Sequence, residues 1–142
     1  MAVDPDRDAF GVVVGQVPAA RDVIALYGAV GWGKADAYNE GEIQAALTNT
    51  MCIIHATDRD GALIGLARLF GDGVLQTSLA EIIVHPNWQR RGVGRAMLSK
   101  ACELCAATAI FLETFRGNES FFEHCDFIAR EHMVVMSRRP QA

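Results

Sequence analysis

Residues 82–98 read IIVHPNWQRRGVGRAML, and few local structures accept that order. An apolar, β-branched run ends at a proline, three arginines and two glycines follow, and apolar residues then recur at helical spacing. A strand that stops at Pro86 and a helix that starts near Gly92 satisfy the pattern. The first turn of such a helix leaves its backbone N–H groups without intrahelical partners and carries about half a positive charge. Gly92 and Gly94 have no side chain to hold a ligand away from those groups, and Arg90, Arg91 and Arg95 surround them. The combination suits phosphate. The bland reading of each arginine is solvated charge at a helix start.

Two common phosphate loops do not fit. No GxxxxGK[ST] stretch is present. The dinucleotide fingerprint GxGxxG is met at Gly92 and Gly94, but Met97 stands where close helix–strand packing wants a small residue. General nucleic-acid binding is disfavoured as well. The net charge is −4, and residues 61–142 carry nine basic against eight acidic side chains, so the basic cluster at 90–100 is small. Residues 1–60, with nine acidic and four basic, are distinctly acidic.

The 142 residues are the size of one domain, expected to span 1–142. No apolar run approaches the ~20 residues of a membrane span, so no membrane partner is expected. The acidic opening MAVDPDRDAF lacks the apolar core of a secretion signal, which leaves a cytoplasmic protein as the default. Cys102 and Cys105 form a CxxC inside a helical pattern, without a second pair at zinc spacing, and read as thiols on one helical face; no metal is expected.

Strand patterns are read at 10–16, 51–57, 62–70, 74–86, 109–115 and 132–137. DRDG and GDG make the three central strands an antiparallel meander. Pro18 suits the first position of a helix whose stripe is Val23, Leu26, Tyr27 and Val30. Asn39 with Glu42 resembles a capping box before a second helix. Val93, Ala96, Met97, Ala101, Leu104 and Cys105 stripe a third helix, and 118–125 forms a fourth. The glycine-rich GAVGWGK between the first two is a loop exposing Trp32. The order is β, α, α, βββ, α, β, α, β: a mixed α/β fold. His55, inside a strand pattern, reads as structural.

The stretch 82–98 resembles the core motif of the GNAT superfamily of acyl-CoA N-acyltransferases, V-x-P-x-x-[QR]-x-x-G-x-[GA], matched by Val84, Pro86, Gln89, Gly92 and Gly94. Element order agrees over residues 10–137, and LYGAVGW, ALIGLARLFGDG and FFEHCDF are similar to a small bacterial-type subgroup. The resemblance implies a mostly antiparallel central sheet, splayed between its fourth and fifth strands and flanked by about four helices. It also implies acetyl-CoA as acyl donor. The pantetheine arm would hydrogen-bond the backbone of Ile82, Ile83 and Val84. Gln89 and the amides of Arg90, Arg91, Gly92, Val93, Gly94 and Arg95 would take the diphosphate.

The implied reaction is attack of a primary amine on the thioester. A lysine-like amine has a pKa near 10.4, so reaching its neutral form at pH 7 costs about 4.6 kcal/mol, and a carboxylate can take the proton. Glu81, in the apolar run LAEIIV, is the candidate base or acceptor anchor. A solvent-facing strand residue, or a buried ion pair with Arg68, is its bland reading. In the family a tyrosine assists thiolate departure, and here Phe122 holds that position and donates no proton. Asp126 stands where the family has glycine, and aspartate tolerates left-handed backbone. Asn118 suits a helix N-cap or a reach to the cofactor. Trp32 and Arg68 are candidates for the acceptor side, whereas Asp72 fits a turn better. The reading is an N-acetyltransferase of a small-molecule amine acceptor, with dimerisation to a homodimer common in proteins of this kind. An inactive acyl-CoA-binding module and an acetyltransferase of proteins are the alternatives.

Overall fold

The structure is a computed structural model that describes residues 9–141. Residues 1–8 of the acidic opening segment, read above as no secretion signal, fall outside them. The described chain divides into two compact units, one running through Leu112 and one beginning at Glu113.

The first unit is built on five strands in the order β1-β2-β3-β4-β5: β1 (Phe10–Val14), β2 (Cys52–Asp58), β3 (Leu63–Gly71), β4 (Gln76–Val84) and β5 (Ala109–Leu112). The first four pair antiparallel with their neighbours, which bears out the meander. β4 and β5 pair in parallel. Parallel neighbours need a crossover, and α3 (Val93–Leu104) supplies it. Before β2 come α1 (Ala20–Ala29) and α2 (Glu40–Thr48).

Each helix begins where its chemistry allows. Asn39 accepts the N–H of Glu42 at 3.1 Å and caps α2. Pro18 lies two residues ahead of α1, which starts behind Ala19 without a side-chain cap. α1 and α2 cover one face of the sheet, where Val23, Leu26, Tyr27 and Leu47 pack with Ile53, Leu66 and Ile83. α3 takes the other face through Val93, Met97, Leu98 and Ala101. Leu98 replaces Leu104 in the expected stripe, and Leu104 is exposed near the helix end. The close approach of α3 depends on Gly65, where an added Cβ would lie 2.8 Å from Met97 Cε and 3.2 Å from Val93 Cγ1.

Two strand expectations need correction. The strand read at 109–115 is shorter, ends at Leu112 and is not buried, because it is an edge strand with Ala109 and Phe111 exposed. Among the described residues of the second unit the only helix is α4 (Glu119–Glu123), and 132–137 is not a strand. Met133, Val134, Val135 and Met136 are all exposed there. High strand propensity reflects fit to a half-buried pleated surface, and alone it does not make a strand. No helix among the described residues is long and apolar enough to cross a membrane.

His55 on β2 is buried, and its Nδ1 has no hydrogen-bond partner among the described residues. Burial lowers its pKa below the ordinary 6.5, against a smaller upward pull from the backbone of Gln16. The unfolded chain therefore takes up the proton more readily, so stability present at neutral pH drains away as pH falls below about 6.5. Thermal unfolding at pH 7.5 and 5.0 should show a larger loss of Tm for the wild type than for His55→Phe. Equal losses would show that this histidine carries no acid sensitivity.

Candidate functional site

The edge of β4 changes character halfway along. Gln76 to Leu79 pair with Ala109 to Leu112 of β5. Beyond Leu79, no strand of the first unit pairs with β4 on that side. On the other side the β3 register shifts at the same place: Leu69 opposes Leu79, Arg68 opposes Glu81, and Ala80 is left without an opposite number. This is a β-bulge, which bends and twists the bulged strand.

Past the bulge the ladder determines which backbone groups are available. His85 donates its N–H to Ile64 O at 2.8 Å. Hydrogen-bonded and non-bonded pairs alternate in an antiparallel ladder, so Ile83 exchanges bonds with Leu66 while Ile82 and Val84 turn their polar groups toward the open edge. Ile83 thus turns its main-chain groups toward β3, and its side chain lies in the core. Ile82 and Val84 remain available, although Val84 O already accepts from Gln89 Nε2 at 3.1 Å.

That glutamine contact folds the following loop back onto β4. Pro86–Trp88 form a single 3₁₀ turn. Two left-handed residues follow, Arg90 (φ 61°) and Gly92 (φ 87°), before α3 begins. A non-glycine residue in that conformation is uncommon and concentrates at functional sites. The first helical bond runs from Ala96 N–H to Gly92 O at 3.0 Å. Among the described residues, nothing takes the N–H groups of Val93, Gly94 or Arg95, and the first turn holds no acidic side chain. A Cβ on Gly92 would meet nothing within 4 Å, so the space over the loop is open. The arginines are less uniform than their spacing implies. Arg91 lies over the Trp88 ring at 4.0 Å, and Trp88 meets Phe10 edge-on at 6.4 Å.

On the α1/α2 face, Glu81 is buried but well partnered. Tyr27 donates its hydroxyl to Glu81 Oε1 at 2.7 Å. Arg68 Nε donates to the same oxygen and forms the ion pair anticipated as the bland reading. Arg68 Nη1 also reaches Thr50 Oγ1 at 3.4 Å, and its guanidinium sits 5.6 Å from the Phe70 ring centre. Burial first, and then the negative charge of Glu81, push the Tyr27 hydroxyl well above the ordinary tyrosine range, so it stays a donor. The paired carboxylate outweighs desolvation and raises Arg68 above its already high value. Trp32 stands beside this group. Its ring is 5.5 Å from that of Tyr27, which is 5.5 Å from Tyr38 as well, and the Tyr38 hydroxyl donates to Trp32 O.

The sequence reading passed over Tyr27 and Tyr38. Tyr27 belongs to an apolar stripe, and the readable signal is that its hydroxyl needs a partner once buried. Asp72 takes the turn role: its carboxylate accepts from Val74, Leu75 and Gln76 N–H groups, which hold its pKa below the usual range.

In the second unit, Asn118 occupies the N-cap position of α4 without capping it and donates instead to Thr114 Oγ1 at 3.2 Å. Phe122 is buried between Phe121 and Phe127, edge-on to both. Asp126 has φ 66°, the left-handed backbone expected of it.

The model of the "Acetyltransferase (GNAT) family" matches residues 18–127. A GNAT-family acetyltransferase from Streptococcus pneumoniae TIGR4 superposes with a TM-score of 0.73 at 28% identity, covering 92% of this chain and 99% of that one. An aminoglycoside N-acetyltransferase solved in complex with CoA shares the fold at 16% identity and a TM-score of 0.69, over 97% and 100% of the two chains. A mycothiol acetyltransferase from Geodermatophilus obscurus is 49% identical over 49 residues, which are 34% of this chain. The match spans only 16% of that relative's length.

Proposed function

Because the chain belongs to the acetyltransferase (GNAT) family, we propose that it is an N-acetyltransferase that moves the acetyl group of acetyl-CoA to a primary amine of a small molecule. Family membership supports an acyltransferase; the donor, the nitrogen acceptor and the residue roles are this proposal. One observation carries it. β4 outruns its pairing with β5, which ends at Leu79, and then runs directly into a loop whose helix presents three amides without a partner among the described residues.

A pantetheine arm carries amide groups that can pair with an exposed strand edge, and Ile82 and Val84 offer such groups. Its diphosphate matches the amides of Val93, Gly94 and Arg95, backed by the helix dipole. Backbone donors suit this role better than Arg91, whose side chain is engaged by Trp88. Acetyl-CoA, once bound, supplies the activated acyl carbon. Glu81 then takes the proton that the amine must lose, directly or through water, or anchors the ammonium form. Arg68 keeps this carboxylate oriented, and Trp32 walls the acceptor side. The chain is read as a single domain acting in the cytoplasm, without nucleic-acid or membrane partners, and as a homodimer candidate.

Phe122 favours a second reading. Its ring has no proton for a departing thiolate, so the fold would hold acyl-CoA without efficient turnover. Incubation with acetyl-CoA and a panel of polyamines, aminoglycosides, amino acids and peptide N-termini separates the two. Acetylated product supports the first reading; tight CoA binding with no product from any acceptor supports the second. Acetylated proteins found only in lysate would make the acceptor a protein.

Two substitutions test the parts. Gly92→Leu should weaken CoA binding at least tenfold by calorimetry, with a stability loss of about 1–2 kcal/mol from the left-handed backbone. Gly92→Ala should bear the same backbone cost and a smaller binding loss. Equal affinities in all three proteins would remove the loop from the phosphate site. Glu81→Gln should lower kcat by about 100-fold while CoA affinity holds; an unchanged kcat would exclude the base role.

A further inference from the structure

Tyr27 is the buried polar side chain that the reading above uses least. It projects from α1 into the sheet face that holds Ile53, Leu66 and Ile83. A phenylalanine would fill that space as well. The hydroxyl is there at the cost of burying a polar group, and its partner is the Glu81 carboxylate, at 2.7 Å.

The choice of oxygen carries the argument. Tyr27 and Arg68 come from different elements, α1 and β3, and both donate to Oε1. Among the described residues, no hydrogen bond reaches Oε2. An oxygen that already accepts two charge-assisted bonds is a poor place for a further proton; the second oxygen is not. Tyr27 also touches the α1–α2 loop through its ring, packing on Trp32 and Tyr38. One side chain therefore holds both the carboxylate and the wall beside it.

We infer that Tyr27 is a positioning residue for the transfer reaction: with Arg68 it saturates Oε1 of Glu81, reserves Oε2 for the acceptor nitrogen, and ties the carboxylate to the Trp32 loop. This rests on the base or anchor role of Glu81. The raised pKa of the Tyr27 hydroxyl keeps it a donor through the working range.

The test combines kinetics with a ligand-free measurement. Using an amine acetylated in the panel, Tyr27→Phe should lower kcat about tenfold, with KM for acetyl-CoA within twofold of wild type. In the Glu81→Gln background, the same change should alter kcat less than twofold, since the group through which Tyr27 acts is gone. Separately, ring-carbon NMR of the tyrosines should show Tyr27 ionising at lower pH in Glu81→Gln than in wild type, because a neighbouring negative charge has been removed. An unchanged kcat in Tyr27→Phe, beside a lowered kcat in Glu81→Gln, would overturn the positioning role and leave the base assignment standing. Equal losses from Tyr27→Phe in both backgrounds would assign Tyr27 to the fold alone. An unchanged kcat in Glu81→Gln would remove the base assignment and this inference together, as would an absence of turnover with every acceptor. An unaltered Tyr27 titration would refute the contact itself.

Discussion

The extra residue at Ala80 is the constraint on which the rest of the first unit depends. Without it, Leu79 and Glu81 would lie two apart on a regular strand and share one face. With it, Leu79 opposes Leu69 while Glu81 opposes Arg68. Leu69 and Arg68 are adjacent, so their partners fall on opposite faces of the sheet. Leu79 goes with the α3 side, and Glu81 turns toward α1, where Tyr27 waits. The pairing with β5 ceases at the same residue. A single insertion thus re-aims the one acidic side chain of β4.

The loop after β4 inherits that geometry. Gln89 draws it back to the Val84 carbonyl, and two left-handed residues swing the chain into α3. Its positive character then has two sources of different quality. Side-chain charge is mobile and partly spent, as Arg91 on Trp88 shows. The amides of Val93, Gly94 and Arg95 are fixed by the helix and cost no ordering when an anion arrives.

Much of this was legible before any coordinates. The proline, glycines and arginines of 86–95 identified a strand–loop–helix joint, and the short GDG and DRDG turns identified the meander. Both depend on local chemistry. What escaped depends on partners far away in sequence. The bulge at Ala80 leaves no mark in LAEIIV, whose alternation reads as an ordinary strand. Tyr27 looked like one more member of an apolar stripe, since only its contact with Glu81, 54 residues on, gives the hydroxyl a purpose. Ile83 was grouped with its neighbours because a sequence does not state the parity of the ladder. At 132–137 the propensity of MVVM was genuine, but a strand is a property of a pair.

The crossover through α3 has one mechanical consequence. β4 and β5, parallel neighbours in the sheet, are joined by a helix of twelve residues, a stiff rod roughly 18 Å long. The rod's leading end carries the amides of Val93, Gly94 and Arg95, and its trailing end leads into β5. A rod this stiff passes any displacement of its leading end on to the start of β5, so the loop after β4 and the edge strand move together.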